Sequence, residues 1–239
     1  MRYDGLEGKV VVVTGGNSGM GRGIAEGFVA QGAKVIVGDV NGTPLPQVLF
    51  HRTDVSQPEQ VRALIDFTTA SCGRLDVLVN NAGINGALVP LAEQTETGID
   101  AVLGVNLKGV IYGLKYGLLA MTRQRGGVIV NIASVQGMRP IHAGASIYAA
   151  SKAAVVSLTR SAAHEYGGHG IRVVALAPGP IDTPMLRAAD PHGAIVDSVP
   201  LQRIGTSNDV AAAVLWLASD AASYVSGVLL PVDGAFMAA

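Results

Sequence analysis

Short apolar runs that alternate with longer helix-like segments constrain this chain more than any other feature of its sequence. The runs are rich in Val and Ile and lie at residues 10–13, 35–37, 77–79, 128–130, 172–176 and 228–232. Helical patterning fills the intervals at residues 19–30, 57–70, 97–123, 149–166 and 207–218. Strands that are apolar on both faces are typical of a parallel sheet covered by helices on each side. The alternation therefore predicts one α/β domain, with a doubly wound parallel sheet of about seven strands.

Residues 41–50 interrupt this pattern. Pro44 and Pro46 argue against a helix there, so we expect the usual crossover helix between the second and third strands to be missing or reduced. The third strand is then predicted at residues 48–54. Elsewhere, Ser, Thr and Asp side chains predict helix starts at residues 97–100 and 207–209.

Composition limits the class of protein. The chain has 239 residues, of which 49% are hydrophobic and 15% charged, and its net charge of −1 comes with no basic stripe, so we expect a globular protein without a nucleic-acid partner. Cys72 is the single cysteine, which excludes an internal disulfide framework and favours a reducing compartment. The sequence has no segment typical of a membrane span or a signal peptide, and no metal-ligand spacing. We therefore expect a cytoplasmic, metal-free protein with no membrane partner.

A glycine-rich turn follows the first apolar run and leads directly into a helical segment. Its sequence is Thr14-Gly15-Gly16-Asn17-Ser18-Gly19-Met20-Gly21. Glycines allow a tight turn and let backbone N–H groups approach a pyrophosphate, while the helix N-terminus adds partial positive charge. Because a strand precedes the turn and a helix follows it, the pattern predicts a Rossmann-type dinucleotide site. Its predicted cofactor contacts are Gly15, Asn17, Ser18, Gly19, Met20 and Gly21.

The end of the second predicted strand carries an acidic residue, Asp39. A carboxylate at this place can accept hydrogen bonds from both hydroxyls of the adenosine ribose and repels a 2′-phosphate. The next residue is Val40 rather than an arginine that could hold that phosphate. Arg22, after the turn, is interpreted as a solvated residue of the first helical turn. The sequence therefore favours NAD over NADP.

Further motifs follow at predicted strand ends and helix starts. In chain order they are Asp54-Val55, Asn80-Asn81-Ala82-Gly83, Asn106, Ser134, Tyr148-x-x-x-Lys152, Pro178-Gly179 and a C-terminal stretch at residues 227–234. Together with the turn after Thr14, this series closely resembles the short-chain dehydrogenase/reductase family, in its compact single-domain subgroup. The resemblance covers essentially the whole chain. Single motifs of this set carry little weight, but their combination is very specific.

The resemblance implies roles for residues that composition and periodicity do not assign. Asp54 and Val55 would bracket the adenine, and residues 80–83, including Asn81, Ala82 and Gly83, would line the adenosine ribose. Pro178 and Gly179 would lead to Ile181 and Thr183, which would hold the nicotinamide carboxamide. Lys152 would bind the nicotinamide ribose, and Asn106 would hold a water that links the lysine to solvent. Family members are commonly homotetramers, which would pair here through residues 97–123, 149–166, 207–218 and the last strand.

Chemistry favours Tyr148 as the acid and base of a hydride-transfer reaction. Tyr148 and Lys152 are one helical turn apart, so both face the same side of the predicted helix. A free phenol titrates near pH ~10, and an ammonium close to it favours the phenolate and lowers its pKa. Ser134 can donate to the substrate oxygen as negative charge develops there. The predicted catalytic set is Asn106, Ser134, Tyr148 and Lys152, acting on a secondary alcohol or ketone.

The substrate itself is not readable from the sequence. The loop of residues 135–147 is expected to line the substrate pocket. Gln136, His142 and residues 185–199, beginning with Met185, are candidate contacts, although His142 is interpreted more readily as a surface-loop histidine. Residues 184–200 mix helix-like residues with Pro and Gly and are predicted to form a mobile lid.

Two alternatives to an NAD-dependent dehydrogenase stay open. An NADPH-preferring ketoacyl or carbonyl reductase is opposed by the pair Asp39-Val40. A cofactor-binding regulatory protein without turnover is opposed by the intact set of four catalytic residues.

Overall fold

A seven-stranded parallel sheet forms the centre of the molecule in the computed structural model, which describes residues 2–42 and 45–238. Its strands are β1 (Val10–Thr14), β2 (Lys34–Asp39), β3 (Val48–Arg52), β4 (Val77–Asn80), β5 (Gly127–Ile132), β6 (Ile171–Pro178) and β7 (Leu229–Val232). The strand order is β3-β2-β1-β4-β5-β6-β7. The predicted doubly wound, Rossmann-type sheet in a single α/β domain is thereby confirmed.

Helices cover both faces of the sheet. They are α1 (Gly19–Ala30), α2 (Pro58–Cys72), α3 (Glu96–Leu103), α4 (Gly109–Gln124), α5 (Ser146–Tyr166), α6 (Pro184–Ala189) and α7 (Ser207–Ala218). Successive side chains of a strand point to opposite faces. In β1, Val11 and Val13 belong to the core that includes residues of α1 and α7. Val10 and Val12 belong to the second core, with residues of α2, α4 and α5.

The order of the sheet places a crevice beside β1. This strand pairs with β2 on one side and β4 on the other, so the strand order reverses there. In open α/β sheets, ligands bind outside the carboxyl ends of the strands at such a switch point. The loops after β1, β4, β5 and β6 therefore meet at one edge of the sheet.

One predicted helix start is wrong by one residue, and the other is confirmed with a different cap. α3 begins at Glu96, because the Thr95 side chain caps it by accepting from the backbone N–H of Gly98 at 3.1 Å. α7 begins at Ser207 as predicted, but its cap is Thr206, which forms a reciprocal capping box with Asp209. Residues 97–123 are also not one regular helix, since a π-helical segment (Gly104–Lys108) separates α3 from α4.

The connection between β2 and β3 agrees with the expectation of a missing crossover helix in its described part. Pro46 and Gln47 form a turn directly before β3. Pro44, on which part of that expectation depended, lies outside the described residues. β3 ends at Arg52, two residues before the predicted end at residue 54.

Within residues 2–42 and 45–238, no helix combines the length and apolar character that a membrane span needs.

Candidate active site

The turn after β1 has the geometry of a phosphate-binding loop. Gly15 and Gly19 adopt left-handed backbone conformations, with φ of 64° and 51°. A Cβ atom on Gly21 would overlap the carbonyl oxygen of Gly15, so only glycine lets the first turn of α1 pack so closely on the loop. The first turn of α1 contains no acidic residue, so its positive end is uncompensated by side chains of that turn.

Asn81, directly after β4, stabilises this loop through hydrogen bonds. Its Nδ2 atom donates to the carbonyl oxygens of Thr14 and Gly15 at 2.9 and 3.0 Å. Its backbone N–H donates to the Thr14 hydroxyl at 3.0 Å, and that hydroxyl donates to the carbonyl of Val79 at 3.3 Å. The loops after β1 and β4 are thus held in one fixed arrangement at the switch point.

A cavity of about 380 Å³ extends along these loops. Most predicted cofactor contacts line it: Gly15, Ser18, Gly19, Met20, Gly21, Asp39, Asp54, Val55, Asn81, Ala82, Gly83 and Thr183. It is also lined by residues that the sequence did not single out, namely Gly38, Asn41, Thr53, Ile84, Val105 and Pro184, together with Val40. The elongated set of loops, with a glycine turn and an acid, fits a dinucleotide.

Asn17 does not line the cavity, although the sequence predicts it as a cofactor contact. Its backbone N–H donates to the Asp39 carboxylate at 3.1 Å, and its side-chain Nδ2 donates to the carbonyl of Asn41. The other Asp39 oxygen accepts from the backbone N–H of Asn41 at 3.1 Å. Asn17 therefore orients the acid at the cavity wall. Within the described ranges, no lysine or arginine lines this cavity.

Tyr148 and Lys152 lie in the first turns of α5. The Nζ atom of Lys152 is 5.7 Å from the centre of the Tyr148 ring and donates to the carbonyl of Ile132 at 2.8 Å. Lys152 is 3% exposed, so its side chain is enclosed between α5 and the end of β5. The two side chains share one side of the helix, as their spacing predicts.

Burial shifts the pKa of both groups. It raises the pKa of the Tyr148 phenol, and the hydrogen bond with the Ser134 hydroxyl offsets only part of that rise. Burial lowers the pKa of Lys152 from 10.5 to about 8. The pKa of Tyr148 thus moves opposite to the direction expected from the lysine charge, because removal of the phenol from water is the largest cause of the shift.

Asn106 lies in the π-helical segment and is fully buried. Its Oδ1 atom accepts from the backbone N–H of Ile84 at 2.8 Å, and its Nδ2 atom donates to the carbonyl of Ile84 at 2.9 Å. Nδ2 also lies 3.3 Å from the hydroxyl of Ser151, which donates to the backbone carbonyl of Tyr148 at 2.6 Å. Asn106 thus connects the loop after β4 to the helix that carries the tyrosine.

A buried polar chain, which the sequence analysis missed, supports the same helix. Asn80 donates to Asn131 at 2.8 Å, Asn131 donates to Thr159 at 2.9 Å, and Thr159 donates to the carbonyl of Val155 at 2.8 Å. These side chains link β4, β5 and α5. Asn80 therefore faces the core and does not line the cofactor cavity with residues 81–83. The presence of Asn80 and Asn131 next to the apolar runs of two neighbouring strands was the signal in the sequence that could have revealed this polar chain.

A second, smaller cavity of about 110 Å³ contains the reacting groups. Ser134 and Tyr148 line it, as do the predicted nicotinamide contacts Pro178, Gly179 and Ile181 and the predicted substrate contacts Gln136, His142 and Met185. Met20, Thr183 and Met185 line both cavities, so the two meet there. Ile141, from the loop of residues 135–147, lines it as predicted, whereas the lining residues Asn85 and Phe236 were missed.

The predicted lid, residues 184–200, consists of α6 and a short 3-10 helix (Ala194–Ser198). Both elements contribute side chains to the smaller cavity, among them Leu186 and Ile195. The movement of this lid stays a prediction.

Among the described residues, no cluster of three or more His, Cys, Asp or Glu side chains could hold a metal ion.

Comparisons with known proteins agree with this arrangement. A family model described as enoyl-(acyl carrier protein) reductase matches residues 15–236. Levodione reductase of Leifsonia aquatica is 41% identical over 254 residues, which cover 97% of this chain and 95% of that protein. A 2,5-dichloro-2,5-cyclohexadiene-1,4-diol dehydrogenase of Sphingobium indicum is 43% identical over 250 residues, 98% of each chain.

Solved structures give the same result for the fold. The crystal structure of levodione reductase superposes with a TM-score of 0.92 at 40% identity and covers 97% of this chain and 98% of its own. A 3-ketoacyl-(acyl-carrier-protein) reductase from Brucella melitensis complexed with NADH has a TM-score of 0.90 at 34% identity, with 96% and 98% covered. The sheet order, the glycine turn and these full-length similarities lead to one conclusion. The chain belongs to the short-chain dehydrogenase/reductase family of oxidoreductases.

Proposed function

We propose that this oxidoreductase uses NAD(H) to interconvert a secondary alcohol and a ketone, with Tyr148 as its general acid and base. The observation that carries the proposal is the junction of the two cavities at Met20, Thr183 and Met185. It brings a site suited to a dinucleotide next to the hydroxyls of Ser134 and Tyr148. Such an arrangement holds a substrate carbon and a proton acceptor in reach of one nicotinamide.

The protein's own residues then move a proton and stabilise charge. When bound, the cofactor supplies the hydride acceptor for alcohol oxidation. The Tyr148 phenolate takes the hydroxyl proton of the alcohol, and in reduction the phenol returns it. The oxygen of the Ser134 hydroxyl accepts the backbone N–H of Gln136 at 3.2 Å, and its O–H donates to the substrate oxygen as negative charge develops there. Lys152 stabilises the phenolate form through its charge.

The surroundings of Asp39 support the preference for NAD. Its carboxylate is fixed by two backbone N–H groups at the wall of the larger cavity. Arg22, the cation nearest in sequence to the glycine turn, pairs with Glu26 at 2.8 Å. A 2′-phosphate at this wall would face a carboxylate without a compensating cation.

Replacing Asp39 by Ala is expected to reduce the ratio of kcat/KM for NAD over that for NADP by about 10- to 100-fold, since about 1–3 kcal/mol of ribose hydrogen bonding and phosphate repulsion is lost. The freed N–H groups of Asn17 and Asn41 become donors for a phosphate. Asp39→Asn separates the two causes, because it removes the charge and keeps an acceptor. Asp66→Ala, an exposed acid on α2, is the control. An unchanged cofactor ratio in Asp39→Ala would refute the ribose role.

Relatives support small cyclic substrates as a starting point. One relative named above is a 2,5-dichloro-2,5-cyclohexadiene-1,4-diol dehydrogenase, whose name indicates a ring with two hydroxyl groups, and the other is a levodione reductase, whose name indicates a diketone. The homotetramer expected from the family stays a prediction. α4, one of its predicted interface helices, exposes 54% of Leu119 and 38% of Ile111.

The direct test is a screen of secondary alcohols and ketones with NAD(H) and NADP(H), followed by the absorbance of the reduced nicotinamide. We expect turnover with NAD(H) and at least one small secondary alcohol. Turnover confined to NADPH and ketoacyl substrates would favour the reductase alternative. Tight NADH binding without turnover of any alcohol or ketone would favour a regulatory protein.

A further inference from the structure

One buried polar atom without a partner belongs to a residue that lines the smaller cavity. The Oε1 atom of Gln136 is closed to solvent, and within the described part of the chain it has no hydrogen-bond partner. Gln136 lines the cavity that contains Ser134 and Tyr148. A buried acceptor without a hydrogen bond is unfavourable, and such groups in native proteins usually meet a water or a ligand. Gln136 therefore contributes an unsatisfied acceptor to the wall of the cavity that contains the reacting groups.

The position of Gln136 is tightly fixed. It lies in the 3-10 turn Val135–Gly137, and its own backbone N–H donates to the Ser134 side chain at 3.2 Å. A Cβ atom on Gly137 would lie 2.7 Å from the backbone carbon of Lys152, so the turn packs directly on the backbone of α5. Because this turn connects to Ser134 and rests on the helix of Tyr148 and Lys152, Gln136 has a defined place relative to all three.

The rest of the cavity wall is largely apolar. Ile141, Met185, Leu186, Ile195 and Phe236 line it together with prolines and alanines. An apolar wall with few polar groups fixes the orientation of a ligand through those groups. The volume of about 110 Å³ is too small for a long acyl group, so a compact substrate suits this space better.

We propose that Gln136 determines specificity by accepting a hydrogen bond from a second hydroxyl of the substrate, so that the enzyme prefers compact diols and hydroxyketones to simple alcohols. The inference rests on the proposed dehydrogenase function. In the oxidation, the carbon of the reacting alcohol loses a hydride to NAD⁺ and its hydroxyl loses a proton to Tyr148, which leaves a hydroxyketone and NADH. The second hydroxyl keeps its proton and donates a hydrogen bond to Oε1 of Gln136.

The test compares matched alcohols in three proteins. Cyclohexanol is paired with the isomeric cyclohexanediols, and secondary butanol with the vicinal butanediol. Each pair is measured as kcat/KM with NAD for the wild type, Gln136→Met and Gln136→Glu. Met keeps the length of the side chain but removes the acceptor, whereas Glu keeps acceptor oxygens. NADH binding, measured by fluorescence, verifies that each variant is folded and forms the cofactor site.

We expect the wild type to prefer at least one diol over its matched monol by about 10- to 100-fold, because a monol leaves the buried Oε1 acceptor without a donor in the closed site. In Gln136→Met, kcat/KM for the diol should fall to the level of the monol, whereas kcat/KM for the monol should change only about a few-fold. Gln136→Glu should retain most of the preference for the diol.

Three results would overturn the inference. They are equal kcat/KM for monols and diols in the wild type, an unchanged preference in Gln136→Met, and an equal loss for both substrates in that variant, which would indicate a structural role. If the wild type forms NADH from monols but without a preference for diols, the inference fails and the proposed function stands. If no monol, diol or ketone in the broader screen is turned over, the proposed function fails.

Discussion

Replacing Tyr148 by Phe is expected to lower kcat by about 10²- to 10⁴-fold, the usual contribution of a positioned general acid or base. The substitution removes only the phenol oxygen, so the substrate proton has no acceptor in oxidation and no donor in reduction. The glycine turn, Asp39 and the loops of the larger cavity are untouched. NADH binding, measured by fluorescence titration, should therefore change by less than about twofold.

The control for this variant makes the same chemical change elsewhere. Tyr224 is fully exposed and lies outside both cavities, so Tyr224→Phe should keep the wild-type kcat. Rate measurements in both directions, with a secondary alcohol and with its ketone, separate the proton acceptor from the proton donor role. Full activity of Tyr148→Phe in either direction would contradict the assignment.

Lys152→Met is expected to lower kcat by about 10²-fold or more, because the phenolate loses the cation that stabilises it. The same substitution should also change the pH dependence of stability. The pKa of Lys152 is 10.5 in the unfolded chain and about 8 in the folded protein. Between these pH values the unfolded chain binds one more proton, so the free energy of unfolding of the wild type rises with pH.

The size of this rise follows from the lowered pKa. A drop from 10.5 to about 8 corresponds to about 3 kcal/mol, which the buried ammonium costs the folded state in full below pH 8. Chemical unfolding at several pH values should show this contribution in the wild type and its absence in Lys152→Met. The variant also leaves the Ile132 carbonyl without its donor, but that cost does not depend on pH. The slope of the free energy of unfolding against pH is therefore the quantity that reports on the Lys152 pKa.

An exposed lysine provides the matched control. Lys115→Met, on the exposed side of α4, should keep both the wild-type slope between pH 8 and 10.5 and the wild-type turnover. Equal slopes in the wild type and Lys152→Met would show that the lysine is not shifted by burial. Normal turnover in Lys152→Met would remove it from the mechanism.

The fold was accessible from the sequence because its strongest signals are local. Continuous Val and Ile runs between amphipathic segments define a parallel sheet, and the bounds of α1 and α7 agree with their periodic patterns. Helix boundaries that depend on single side chains were harder to predict from the sequence. The cap at Thr95 and the π-helical segment (Gly104–Lys108) depend on contacts that no periodic pattern records.

The site was accessible only in part. Residues at strand ends and in the glycine turn could be assigned to the cofactor, because the topology brings those positions together at the switch point. Asn85 and Phe236 in the wall of the smaller cavity could not, since loop and C-terminal conformations determine their places. The role of Asn17 was also hidden, because its contact with Asp39 depends on the path of two loops.

The direction of the Tyr148 pKa could not be deduced from spacing. The sequence places a cation one turn from the phenol, but the extent of burial is a property of the folded protein. Charge and burial act in opposite directions on the phenol, and their balance depends on how completely the protein excludes water.

The central claim is that the ammonium of Lys152 prepares the Tyr148 phenol for proton exchange beside the nicotinamide. NMR titration of isotope-labelled tyrosine, in the NAD⁺ complexes of the wild type and of Lys152→Met, measures this directly. The chain has six tyrosines, and the Tyr148→Phe spectrum identifies the signal. We expect Tyr148 to lose its proton in the wild type at a pH about one unit or more below that in Lys152→Met. The same or a higher titration midpoint in the wild type would contradict the account.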